Sequence, residues 1–188
     1  FIDSELRIAS DIQMSIVPKT FPPLHNLPDL DVFAVLKPAR EIGGDFYDFF
    51  SVDDDHFFFA VGDVASKGMP AALFMAVSRT LIKSNAEPGI GPELILKHVN
   101  DNLCRGNDSS ISVTVFCGII NIRSGEVVYS NAGHIPPYLY RKDGNMKPVS
   151  LPEGMALGIE EGIVYGRDSL VLEPGDAIVV YTNIVDSV

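Results

Sequence analysis

The stretch "REIGGDFYDFFSVDDDHFFFAVGDVASKGMPAALFM", residues 40–75, constrains the fold more than any other part of the chain. Its middle, "HFFFAVGDV" from His56 to Val64, is a short apolar run bounded by turn residues and reads as a buried strand. An aspartate beside glycine stands on either side of its apolar part, Phe57 to Val61: Asp45 follows Gly43 and Gly44, and Asp63 follows Gly62. Surface decoration has no need of flanking glycines, which instead let a ligand or another backbone approach closely. Both aspartates fall at strand ends. If their strands are hairpin neighbours, both carboxylates lie at one edge of a sheet.

Further along, the spacing predicts a helix from Met69 through "MPAALFMAVSRTLIKSNA", with Pro70 near its first position, where a missing N–H costs little. Its first two turns are apolar nearly all round, so the helix should be covered on most sides. A second helix, "PELILKHVNDNLC", carries Ile95, Val99 and Leu103 on one stripe. Strands follow: "SVTVFCGIINI", "GEVVYSNAG", "PYLYR", "DSLVLEPG" and "DAIVVYT", separated by glycine-bearing turns. Before the opening stretch, "DVFAVLKPA" reads as a strand and "PPLHNLP" as a connector. "SELRIASDIQMSI" carries Ile8, Ile12 and Ile16 at helical spacing and stops at Pro18. It is either a helix docked on the domain or the end of a signalling helix from an upstream module. Short connections favour antiparallel pairing, and strands, helices and strands in succession define an α+β class in which helices cover sheet faces.

Several classes are excluded. The net charge of −11 argues against a nucleic-acid surface, which needs a basic patch. No apolar run approaches the roughly 20 residues that span a bilayer, and "FIDSELRIAS" lacks the layout of a signal peptide. Two cysteines, Cys104 and Cys117, are too few for a disulfide scaffold, and Cys117 reads as a small core residue. A reducing cytoplasm is the simplest compartment. Neither "EIGG" nor "GDVASKG" matches a phosphate-binding P-loop.

Two adjacent carboxylates repel, and one tends to stay protonated unless a divalent cation lies between them. Mg²⁺ and Mn²⁺ take carboxylate, carbonyl and water oxygens, and no His/Cys cluster with zinc spacing competes. Spacing alone leaves a second reading open, in which Asp45 and Asp63 are turn and cap residues.

"REIGGDFYDFF", "VGDVASKGMPAALFM", "YSNAGHIPPYLY" and "LEPGDAIVVYT" resemble, in order and spacing, the SpoIIE-type domain. That is the stress-response and sporulation branch of the metal-dependent serine/threonine phosphatases, the protein phosphatase 2C class. The resemblance implies a layered α-β-β-α sandwich of mainly antiparallel sheets over residues 21–188, led by a linker or signalling helix over residues 1–20. It implies two Mn²⁺ or Mg²⁺ ions held by Asp45, Asp63 and the carbonyl of Val64, with Asp63 bridging. The implied reaction is hydrolysis of phosphoserine or phosphothreonine by metal-activated water. The implied substrate is a phosphorylated anti-sigma-factor antagonist, a STAS-domain protein. An upstream sensor or regulatory module in the same chain and a homodimer through the N-terminal helix belong to the same expectation, as does a cytoplasmic site, free or anchored to a membrane.

The sequence departs from that pattern near its end. The family continues from "YT" into Asp-Gly and later an Asp-Asp-x-Thr segment, whereas Tyr181-Thr182 is followed here by Asn183-Ile184. The expectation is that residues of the parent protein are omitted and that Asn183 is no ligand. The alternative is a catalytically impaired module that binds and sequesters its partner.

Arg40 and Lys67 are candidates for gripping substrate phosphate, because both residue types hold phosphate oxygens. Asp48 is a candidate for holding metal-bound water, or simply caps a turn. His134 in "NAGHIPP" is either a general acid or a neutral imidazole fixing its loop. "DDD" at 53–55 reads as a solvated hairpin turn, and Ser66 and Thr114 have no base in view.

Overall fold

The structure is a computed structural model that describes residues 2–19, 29–38 and 41–182. In chain order its elements are α1 (Ile2–Ile16), β1 (Asp45–Ser51), β2 (His56–Val64), α2 (Gly68–Asn85), α3 (Pro92–Cys104), β3 (Val113–Asn121), β4 (Glu126–Ala132), β5 (Tyr138–Tyr140), β6 (Met146–Pro148), β7 (Asp168–Val171) and β8 (Ala177–Val179). One sheet runs β1-β2-β3-β4-β7 and the other β6-β5-β8, with antiparallel pairing throughout.

Alternation along β1 and β2 divides the core. Phe46, Phe58 and Ala60 point to one face, where they meet Met75 and Ile82 of α2 and the Ile95, Val99, Leu103 stripe of α3. Phe49 and Phe57 point to the other face and pack with Phe116, Tyr129 and Leu139 between the two sheets. Side chains of period two fill two separate cores from one hairpin, so β1 and β2 must be sandwiched on both sides. Phe46 lies directly opposite Gly62 in the ladder, and its ring occupies the space a side chain there would need: a Cβ on Gly62 would sit 2.4 Å from two ring carbons.

The α+β class and antiparallel sheets follow the sequence reading. α2 and α3 pack on the larger sheet and α1 packs against α2; a second helix layer over the smaller sheet has no counterpart among the described residues. Three local expectations change. Residues 31–38 form no strand, although exposure alternates along them and Leu30, Val32 and Ala34 pack on the inter-sheet core. Alternation in exposure reports one covered face and does not by itself make a strand. The face of α1 turned to the domain carries buried Gln13, whereas Ile8 and Ile12 are exposed. On α2, Met69, Leu73 and Val77 are exposed at i, i+4 and i+8, so that helix is bare along one stripe. Apolar periodicity marks what a helix can bury, not what this chain places against it.

Candidate active site

Asp45 opens β1 and Asp63 nearly closes β2, and the register sets them directly opposite one another. Opposed residues in an antiparallel ladder project to the same face with Cβ atoms about 4.5–5.5 Å apart. That face is the inter-sheet one, shared with Phe49 and Phe57, so the carboxylates sit at the rim where the sandwich opens. Both are half-buried.

The backbone beside them is equally constrained. Val64 N–H donates to the Gly44 carbonyl at 3.2 Å, and a Cβ on Gly44 would lie 2.7 Å from Val64 Cβ and 3.0 Å from the Val64 carbonyl oxygen. Only glycine lets the lead-in to β1 pass over that carbonyl. The Val64 oxygen accepts a hydrogen bond from Ser66 N–H at 2.8 Å, and a carbonyl oxygen carries two lone pairs. On the other side Gly43 N–H donates to Gln13 Oε1 at 3.1 Å, while Gln13 Nε2 donates to the Gly43 carbonyl. The buried amide of α1 thus grips the peptide two residues before Asp45.

Other strand ends complete the rim. Thr114 on β3 is the neighbour of Asp63. His134, just beyond β4, places Nδ1 3.2 Å from Thr114 Oγ1 and Nε2 2.8 Å from the Tyr181 carbonyl oxygen. Thr182, beyond β8, donates through Oγ1 to Asp45 Oδ2 at 3.0 Å. The sequence offered no imidazole for Thr114 and no role for Thr182. Each comes to the rim only through sheet register, which no local pattern encodes.

The acidic pair is electrostatically uncomfortable. Burial, then the negative charge of Asp45 and a hydrogen bond with it, push the Asp63 carboxyl up to about 6. Three hard oxygen donors, two of them charged and forced together, fit Mg²⁺ or Mn²⁺ and no softer metal. Among the described residues no third His, Cys, Asp or Glu joins them as a metal-holding group. A consequence is testable without any substrate. Because the folded carboxyl of Asp63 titrates above its unfolded value, its contribution to stability is present below about pH 4 and declines as the pH rises towards about 6. In metal-free protein, Asp63→Asn should therefore raise the melting temperature more at pH 7 than at pH 4, as differential scanning calorimetry would register.

The remaining predicted residues scatter. Asp48 lies on the opposite, helix-facing side of β1, buried, with its Oδ2 3.2 Å from Arg79 Nε. Burial pushes its carboxyl up, with Arg79 and Lys83 opposing. Strand parity alone separates it from Asp45, and it reaches no group at the rim. Lys67 is exposed at the N-cap of α2, three residues beyond Val64. Arg40 and Asn183 lie outside the described residues. Asp53 caps the β1–β2 turn, its Oδ1 accepting from Asp55 N–H and His56 N–H at 2.9 Å each.

Two facing antiparallel sheets, the larger one covered by helices, give the chain the fold of the protein phosphatase 2C class. The SiaA-PP2C domain of Pseudomonas aeruginosa has this fold, with a TM-score of 0.77 at 22% identity over 94% of this chain and 70% of that one. The RsbU and RsbW domains of Rv1364c from Mycobacterium tuberculosis match with a TM-score of 0.67 at 32% identity, over 76% of this chain and 40% of that one. In sequence, the phosphoserine phosphatase RsbU of Bacillus subtilis (strain 168) is 32% identical over 182 residues, 97% of this chain and 53% of that protein. The pattern of the SpoIIE family, stage II sporulation protein E, matches residues 53–185, and the chain belongs to that family. It spans about half the length of RsbU.

Proposed function

We propose that this domain is a metal-dependent protein phosphatase that hydrolyses phosphoserine or phosphothreonine on a STAS-domain anti-sigma-factor antagonist in a bacterial partner-switching pathway. The observation that carries the reading is Asp45 in register with Asp63 at the sandwich rim, with the Asp63 carboxyl pushed up by burial and by the neighbouring Asp45 charge. Asp45, Asp63 and the Val64 carbonyl would hold two Mn²⁺ or Mg²⁺ ions. Such ions, when bound, polarise the phosphoryl group and supply a nucleophile near neutral pH. Asp45 and Asp63 orient that chemistry from neighbouring strands of one rigid hairpin, and Thr182 fixes one oxygen of Asp45. Lys67, exposed just past Val64, and Arg40 are proposed to meet the substrate phosphate. The likeness to a protein named phosphoserine phosphatase supports the substrate class.

Exposed Ile8 and Ile12 on α1 support an upstream regulatory module, or a second copy of the chain, meeting that helix. The surplus of acidic residues argues against a nucleic-acid partner, and bound cations would offset it for an anionic phosphoprotein substrate. No described helix is long and apolar enough to cross a membrane, and the proposed compartment is the cytoplasm. The test is phosphate release from a phosphoserine protein as manganese is titrated in. Release that rises with manganese and stops in chelator is expected; release indifferent to chelator would overturn the proposal.

A second reading draws on the Thr182 hydroxyl, which satisfies Asp45 Oδ2 without any ion. In it the domain binds and sequesters its partner without turnover. Capture of the antagonist that persists in chelator, with no phosphate released, would favour it.

A further inference from the structure

We infer that His134 is a positioning residue, which fastens the chain beyond β8 to the larger sheet so that Thr182 stays on Asp45. The inference rests on the metal reading of Asp45 and Asp63 proposed above.

The two ring nitrogens of His134 have different partners. A carbonyl oxygen can only accept, so the contact at 2.8 Å between Nε2 and the Tyr181 oxygen puts the ring proton on Nε2. In the neutral ring Nδ1 then accepts, and the Thr114 hydroxyl donates to it at 3.2 Å; the hydroxyl's other acceptor, the Asp63 carbonyl, is farther, at 3.4 Å. Burial holds the imidazole below its ordinary titration range, against the Tyr181 carbonyl and the Asp45 charge, which favours the neutral ring these bonds require. Both nitrogens are therefore engaged by protein groups, and the residue is only 6% exposed. A general acid needs a proton directed at substrate, and this ring directs its proton at a backbone oxygen.

The ring's own placement is rigid. His134 N–H donates to Asn131 Oδ1 and Asn131 Nδ2 donates to the His134 carbonyl, each at 3.2 Å, with Asn131 buried at the end of β4. Gly133 between them has φ 69°, and a Cβ there would come 3.1 Å from Ala156 N. That closed turn explains why "NAG" precedes the histidine. From this anchor the ring reaches across to the smaller sheet's side of the rim. The segment it holds has a second support, the Tyr181 ring stacked on Tyr138 with centroids 5.9 Å apart. With the Tyr181–Thr182 peptide fixed, the Thr182 hydroxyl is left pointing at Asp45 Oδ2. A hydrogen bond to a ligating carboxylate orients it and tunes its basicity, and its loss typically weakens metal binding by about 10–100-fold.

The experiment measures manganese affinity by calorimetry, with thermal melting alongside, on four proteins: wild type, His134→Gln, His134→Asn and Thr182→Val. Glutamine places an amide N–H where Nε2 was and keeps the bond to Tyr181, so its affinity should stay close to that of the wild type. Asparagine is too short to reach Tyr181, and valine removes only the hydroxyl; each should weaken manganese binding about 10-fold or more. If His134→Asn fails to fold, Thr182→Val reads the same link. Wild-type uptake with unchanged affinity in Thr182→Val and in His134→Asn overturns the positioning role alone. Loss of turnover in both histidine variants at unchanged affinity would overturn it too, in favour of proton transfer. A wild-type domain that takes up no manganese would sink the metal reading, and this inference with it.

Discussion

Asp63→Asn is expected to lower kcat/KM for manganese-dependent phosphate release by about 10³-fold or more, since Lewis-acid stabilisation worth several kcal/mol is tenfold in rate for each ~1.4 kcal/mol. Asparagine keeps the shape of the side chain and removes the charge. The rest of the rim, from the Gly44–Val64 crossing to the Thr182 bond on Asp45, does not depend on that charge. Folding should not suffer, because the substitution removes one of two repelling carboxylates whose burial already drives the Asp63 carboxyl up to about 6. Stability without metal and activity with metal should therefore move in opposite directions. Calorimetry and a phosphate-release assay on the same preparation check both. Turnover that survives would show that the ions, if any, sit elsewhere.

Phe46→Ala should cost about 3–5 kcal/mol of stability, the range for truncating a fully buried aromatic. Phe46 is 1% exposed, joins the helix-side core, and lies over Gly62 in the ladder. Its loss removes packing directly behind the peptide that carries Asp63. The reciprocal change, Gly62→Ala, should cost about 1–3 kcal/mol through overpacking, because the new methyl meets the Phe46 ring at 2.4 Å. The two sites share one volume, so the double variant should be destabilised by less than the summed single changes. Urea midpoints of the four proteins close this cycle. Additive costs would mean that the ring and the glycine do not exclude one another's space.

Much of this could be read in advance. Gly43-Gly44-Asp45 and Gly62-Asp63 pointed to one edge with two carboxylates on the condition that their strands form a hairpin, and the register meets that condition. The α3 stripe of Ile95, Val99 and Leu103 was equally plain, and all three are buried. What stayed hidden depends on parity or on distant register. Asp48 is three residues from Asp45, an odd step, so the pleat turns it to the helices and Arg79. Residues 31–38 alternate in exposure like a strand but form no strand among the described residues. Gln13 carries no signal of its own on an isoleucine-striped helix, and its bond to Gly43 joins residues 30 positions apart. Thr114, His134 and Thr182 come from three separate strand ends and meet only because two sheets close on one another.

The hairpin that carries Asp45 and Asp63 has a consequence for how the domain is made. Its two acids are close neighbours in the chain, whereas the bond that steadies Asp45 spans 137 positions. Hairpins zip in about 1–10 μs, while contacts of long sequence separation bear a larger loop-closure cost and form late. As the chain leaves the ribosome, the acids are brought face to face well before Thr182 exists to hold one of them. An ion captured at that stage would act as an early clasp on the nascent hairpin rather than as a late guest of the finished domain.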